Sequence, residues 1–167
     1  MRILSGAVAA LLLASAAGAQ TSAFRPDEYA TPDGALLLQE HGNYVEPYFA
    51  TKALLVAASA GLDVAQPAAR WIAWLLPRQR SDGRFERYCH KDGKWKACGA
   101  ADADDSMLAL WIELLYRTAP ASGLPAEWAA SAEHARRHLE SLRDGRSGVY
   151  NLSHLNHSAQ LMGKLEV

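Results

Sequence analysis

The chain has 167 residues and a formal net charge of −1 at pH 7, and half of its residues are hydrophobic. This length is sufficient for one domain with a hydrophobic core. The nearly balanced charge gives no electrostatic reason to expect nucleic acid or an anionic membrane as a partner.

The N-terminal end has the pattern of a secretory signal peptide. Arg2 precedes an apolar run over residues 3–17, and an Ala-x-Ala pattern ends at Ala19. The run is shorter than the roughly 20 apolar residues that span a bilayer, so cleavage after Ala19 is favoured over a stable membrane anchor. We therefore predict a mature chain of residues 20–167 that is periplasmic or secreted. Removal of Arg2 would change its net charge from −1 to −2.

Cys89 and Cys98 are the only cysteines, and export to an oxidising compartment favours a disulfide between them. The surrounding segment can close as a β-hairpin around a type II′ turn at residues 93–94, which places the two cysteines opposite each other. A type I′ turn at residues 92–93 would place Cys89 opposite Lys96 instead. We predict the disulfide with the first register. A metal-binding thiol pair is disfavoured because the spacing is not Cys-x-x-Cys.

Proline and glycine mark the ends of two predicted helices. The first begins at Pro47, a residue tolerated in the first turn, and ends near Gly61. The second begins at Pro67 and extends to about Gln79, with Pro77 expected to bend it or end it early. Residues 20–43 contain many turn-forming residues and are predicted to form a lead-in to a domain at residues 44–167.

Two further helices are predicted in the second half of the chain. Residues 102–106 supply several N-cap candidates for a helix that extends to about Arg117. Pro125 begins a fourth helix that reaches about Arg143 and has one polar face. On this helix His134 and His138 stand four residues apart, as zinc ligands can. The neighbouring arginines favour a solvated face instead, and His154 and His157 fit no ligand pattern.

The helices alternate in polarity with a period of one helical hairpin. The first and third are apolar on nearly every side, whereas the second and fourth are half polar. Glu46, Ser106 and Glu166 lie 60 residues apart, and a third unit begins near Leu161. This alternation predicts an all-α fold: antiparallel helical hairpins of an incomplete α/α toroid, with a small β-hairpin in one loop. Helices that are apolar all round need cover, which predicts a homo-oligomer or a missing C-terminal portion.

Two short motifs resemble those of known α/α toroids. Trp74-Leu75, Gln79 and Asp82-Gly83-Arg84-Phe85 resemble the QW-type motif of terpenoid cyclases and prenyltransferases, with Phe85 where tryptophan is usual. Residues 102–105, Asp-Ala-Asp-Asp, resemble the D-x-D-D motif of proton-initiated terpene cyclases. Aspartate-glycine-aromatic loops and acidic helix starts also occur in six-hairpin glycosidase-like proteins. Both resemblances lie within residues 71–110.

The acidic cluster is the predicted catalytic centre. Three carboxylates within four residues, Asp102, Asp104 and Asp105, raise at least one pKa and keep a proton available near neutral pH. In the glycosidase interpretation, Asp104 or Asp105 donates the proton and Glu46 assists across a cavity. The structural alternative is helix capping and an acidic loop, with Glu46 complementing the helix dipole.

Aromatic residues near the predicted helix starts are candidates for stacking on a sugar: Tyr44, Tyr48, Tyr88 and Trp95. The sequence therefore predicts a carbohydrate-active protein of the six-hairpin glycosidase-like type, a hydrolase or lyase acting on a polysaccharide or oligosaccharide without a cofactor or metal ion. One alternative is a truncated, non-catalytic or sugar-binding remnant. Another is a terpene-cyclase-like protein that uses residues 102–105 as proton donor, although residues 20–167 are too few for the deep dry pocket it needs.

Overall fold

The computed structural model describes residues 25–158, which form four helices and a three-stranded antiparallel sheet. The order along the chain is a 3-10 turn Pro26–Glu28, β1 Tyr44–Val45, α1 Pro47–Ser59, α2 Ala65–Leu75, a 3-10 turn Leu76–Arg78, β2 Glu86–Lys91, β3 Lys94–Ala100, α3 Asp104–Thr118 and α4 Ala126–Ser141. The predicted signal peptide and the predicted third unit, from Leu161, lie outside the described residues. Within residues 25–158, no helix is long and apolar enough to cross a membrane.

The predicted all-α toroid is wrong, because the fold is mixed α/β. The hairpin expected in one loop is part of a sheet of order β1-β2-β3, in which β1 pairs antiparallel with β2. Val45 lies opposite Tyr88, and both side chains are buried in the core. The sheet therefore forms part of the hydrophobic core and is not a surface loop on a ring of helices. A strand of two residues is too short for the alternation by which strands are recognised.

The disulfide prediction is confirmed, but the predicted hairpin register is wrong. Cys89 lies opposite Lys96, and the turn at Asp92 and Gly93 has φ values of 51° and 72°, as a type I′ turn requires. A β-bulge between Arg87 and Tyr88 shifts the pairing. The two cysteines are thus diagonal neighbours with their Cα atoms 5.9 Å apart, within the range for a disulfide.

The predicted helix ends agree closely with the structure, apart from the cap of α3. After α1, Gly61 has φ +80° and donates its N–H to Ala58, while Leu62 donates to Ala57, as in a Schellman motif. Pro77 ends α2 in the 3-10 turn. The N-cap of α3 is Ala103, so no side chain among the candidates at residues 102–106 caps the helix, although Asp104 and Asp105 lie in its first turn.

Helix α3 is the centre of the molecule, since it packs against the three other helices. Its Trp111 is fully buried, as is Trp71 of α2, whose indole N–H donates to Thr51 Oγ1 of α1 at 3.1 Å. Helix α1 is open on one side, where Phe49 and Val56 are exposed. A groove of about 400 Å³ lies there, between α1 and residues 25–38.

Candidate functional site

The starts of α1 and α3 lie side by side, and Glu46 joins them. The Glu46 side chain is 3 % exposed. Its Oε1 accepts the main-chain N–H of Asp102 at 3.1 Å, and its Oε2 accepts from Arg87 Nε at 2.5 Å. The Tyr44 hydroxyl lies 3.5 Å from the same carboxylate. Both oxygens of Glu46 are therefore engaged in holding the β1–α1 junction against the chain that leads into α3.

Asp104 is the buried acid of the site. It is the first residue of α3 and only 5 % exposed, with Arg84 Nη1 at 3.9 Å from its Oδ2. Burial raises the pKa of Asp104 to about 6; Asp82 and Asp105 add to the rise, while Arg84 and His154 oppose it. Asp104 thus holds a proton on half of the molecules near pH 6.

Arg84 is positioned by a second carboxylate outside the predicted cluster. Asp82 accepts two hydrogen bonds from the Arg84 guanidinium, at 3.0 and 3.2 Å, and one from the Arg84 main chain at 3.1 Å. Although burial raises the pKa of Asp82, these bonds and the positive charges of Arg84 and Arg80 lower it to about 2. Between pH values of about 2 and about 6, Asp82 is therefore mostly ionised while Asp104 is mostly protonated.

The other two acidic residues of the cluster differ from Asp104. Asp105 is fully buried; its Oδ1 accepts the N–H of Ser106 at 2.8 Å, and its own N–H donates to Leu152 at 3.4 Å. Asp102 is half-buried and faces Tyr44 and Arg87. Ala103, between them, has φ +48°, a left-handed conformation that costs a non-glycine residue about 1 kcal/mol.

The QW-like residues form a hydrogen-bonded clamp between the loop before β2 and helix α4. Gln79 Nε2 donates to Gly83 O at 2.9 Å and to Ser131 O at 3.2 Å, and Ser131 Oγ donates back to Gln79 Oε1 at 2.6 Å. Trp111 Nε1 donates to the same hydroxyl at 2.9 Å, and Phe85 packs edge-on against Trp111. These residues position Asp82 and Arg84 at the site.

The four predicted stacking residues do not share one surface. Tyr44 is half-buried beside Glu46, on the face of the sheet that carries the disulfide. Tyr88 and Trp95 lie on the other face, where both contact the Trp74 ring edge-on. Tyr88 and Tyr48 are buried. Tyr44 is therefore the one that contacts a carboxylate of the site, whereas Trp95 is half-buried against the core.

Two histidines that the sequence did not assign to the site, His138 and His154, lie beside it. His138 of α4 is 9 % exposed, so the prediction of a solvated face is wrong for it. Its ring packs edge-on against the His154 ring with centroids 5.0 Å apart, and His154 is close enough to Asp104 to lower its pKa. One signal was present in the sequence: Ser131, Ala135, His138 and Leu142 follow the 4-3-4 spacing of a buried helical stripe.

What the site offers chemically is a carboxylic acid, a guanidinium and imidazoles close to one another. Among residues 25–158, no group of three or more His, Cys, Asp or Glu side chains is arranged to hold a metal ion. Comparisons of the chain with protein-family models, curated proteins and solved structures gave no significant match.

Proposed function

We propose that the protein cleaves a polysaccharide or oligosaccharide outside the cytoplasm, as a hydrolase or lyase, with Asp104 as the proton donor. The observation that carries this proposal is the burial of Asp104, which raises its pKa to about 6. Glycosidic-bond cleavage requires an acid that still holds its proton at mildly acidic pH, as this raised pKa allows.

The neighbouring residues support a division of roles. Arg84, held by Asp82, lies on one side of Asp104 and offers positive charge to an anionic group or to the ionised donor. Glu46 is bound by Arg87 and by the Asp102 N–H, so we assign it to positioning the entry into α3. Asp102 is half-buried, with the carboxylate of Glu46 beside its main chain, and is the better candidate for the assisting carboxylate.

The proposed location is the periplasm or the extracellular space. The Cys89–Cys98 disulfide supports it, because disulfides persist in oxidising compartments. The apolar N-terminal run of the sequence supports it independently.

A second candidate is a non-catalytic, sugar-binding protein. The structural use of the predicted catalytic carboxylates favours it, since Glu46 holds two elements together and Asp105 bonds to the first turn of its own helix. The terpene-cyclase-like alternative has less support, because the apolar groove along α1 does not include Asp104 among its lining residues.

Glycan cleavage by the wild type and by Asp104→Asn tests the proposal. Purified mature protein is incubated with a panel of neutral and acidic polysaccharides, and new reducing ends and unsaturated products are measured from pH 4 to 8. We expect cleavage that declines as the pH rises through about 6, where Asp104 loses its proton. Asp104→Asn should abolish cleavage and leave the helical circular dichroism unchanged.

Asp92→Asn is the matched control, because Asp92 lies at the hairpin turn with its side chain 91 % exposed. This variant should cleave as the wild type does. Wild-type rates in Asp104→Asn would reject the proposed donor. Saturable glycan binding without cleavage in every variant would support the sugar-binding alternative.

A further inference from the structure

The chain after α4 folds back over the start of α3. Asn151 N donates to Leu142 O at 2.9 Å, and the Asp105 N–H donates to Leu152 O at 3.4 Å. Leu152 N in turn donates to Ser158 O at 2.9 Å, closing a compact loop. We call residues 150–158 the cover segment, since they lie against the first turn of α3 that carries Asp104.

Two histidines hold the cover segment to α4. The His154 ring packs edge-on against His138 at an interplanar angle of 88°, and His154 Nε2 lies 3.1 Å from Ser141 Oγ. Nε2 of His138 is buried and has no hydrogen-bond partner in the described part of the chain. An imidazolium at His138 would have a second N–H to place in this contact, with no acceptor for it.

Charged groups from three elements face the two rings. The loop before β2 contributes Asp82 and Arg84, α3 contributes Asp104, and the cover segment contributes His154 itself. An imidazolium at His138 would be repelled by Arg84. Only the carboxylates offset that repulsion.

We propose that His138 and His154 form a pH-dependent latch, which holds the cover segment against α3 while the His138 ring is neutral and releases it when that ring takes up a proton. This inference goes beyond the proposed function and does not depend on it. Release exposes the first turn of α3, and with it Asp104.

The direction of the pH dependence follows from the site. Burial, then the charges of His154 and Arg84, lower the pKa of His138, so its stabilising contribution is present above the ordinary histidine range and is lost as the pH falls through the lowered value. Asp104 loses its negative charge as the pH falls through about 6. The opposing carboxylate is thus neutralised over the same range in which histidines become charged.

Hydrogen exchange of the cover segment at pH 5 and pH 8 tests the latch across the range in which imidazoles titrate. With intrinsic rates corrected for pH, we expect the protection of the Asn151 and Leu152 amides to fall at least about tenfold at pH 5 in the wild type. Peptides from α2, and from α3 beyond its first turn, should remain protected, which separates local release from unfolding. In His154→Gln the protection of the cover segment should no longer change with pH.

His138→Gln is the second variant, and we expect it to lose the pH dependence as well. If His138→Gln does not fold, the result for His154→Gln decides between release and no release. The control is His41→Gln, because the His41 side chain is 86 % exposed and distant in sequence; it should behave as the wild type. Equal protection of the wild type at both pH values would overturn the proposal. So would a tenfold change that persists in His154→Gln.

Discussion

Asp104 is a carboxyl group in a place that disfavours its charge. The sequence predicts an elevated pKa from neighbouring aspartates, but in the structure burial is the largest cause and the neighbouring carboxylates add less. The ordinary pKa of the group is 3.8 and the folded value is about 6. Folding therefore opposes ionisation of Asp104, and the protein loses stability when the pH rises through the folded value.

Asp104→Asn should stabilise the protein above pH 6 and leave it unchanged near pH 4. A pKa raised from 3.8 to about 6 corresponds to about 3 kcal/mol, which is an upper value for the gain at pH 8. Urea denaturation of the wild type and the variant at pH 4 and pH 8 measures the difference. Asp92→Asn should show no such dependence. A gain of the same size at both pH values would contradict the burial of a charge at Asp104.

Site residues could be predicted where their neighbours in sequence identify them, and not where their partners are distant in sequence. The acidic start of α3 is visible locally, so Asp104 is identified from its neighbours. The partner of Glu46 is Arg87, 41 residues away, on a strand whose register had to be known first. The adjacent arginines suggest a solvated face for His138, whereas the spacing of buried residues on α4 places it inside.

At the scale of elements, the loop before β2 touches helix α4 at a glycine. Gly83 has φ +93°, and a Cβ there would lie 2.4 Å from His134 O. Gly61 has a similar φ of +80°, but a Cβ added to it would meet no heavy atom within 4 Å. Both glycines therefore need a positive φ, but only Gly83 has a neighbouring main chain so close that a Cβ atom would clash with it.

Gly83→Ala should destabilise the protein much more than Gly61→Ala. The second change carries only the left-handed strain of about 1 kcal/mol. The first adds a main-chain clash that displaces α4, so we expect a total of about 3 kcal/mol or more. Thermal and urea unfolding of both variants give the comparison. Equal losses would show that the loop does not press against α4.

The elements themselves were predictable where single residues mark them. Pro47, Gly61, Pro77 and Pro125 fix helix ends to within a few residues, because proline and glycine act through the local backbone. The hairpin register was not predictable, since two turn types fit the same residues and the β-bulge decides the cysteine geometry.

At the scale of the whole molecule, the sheet joins a segment that precedes α1 to a hairpin between α2 and α3. β2 and β3 lie between α2 and α3 in the chain, and the disulfide fixes them to each other across a sequence separation of 9. The helical periodicity predicts the four helices. It does not reveal that β1 pairs with β2, so that the predicted loop is part of a sheet that packs in the core.

The double variant Cys89→Ser, Cys98→Ser should lose about 2–3 kcal/mol of unfolding free energy, as expected for closing a loop of this length. Chemical denaturation measures the loss, and reduction of the wild type should reproduce it. In the absence of denaturant, the variant should still show the wild-type helical signal. No difference between the variant and the oxidised wild type would mean that the bond adds nothing to the stability of the fold.

The hydroxyl of Ser131 lies between the indole of Trp111, which can only donate a hydrogen bond, and the amide of Gln79, which can donate and accept. Because Trp111 donates to this oxygen, its own hydrogen must go to Gln79 Oε1, and the NH₂ group of Gln79 is left to face Gly83 O and Ser131 O. Each hydrogen bond from Trp111 through Ser131 to Gln79 therefore has one possible donor and one possible acceptor. A glutamate at position 79, though nearly the same shape, would set a carboxylate oxygen against two carbonyl oxygens.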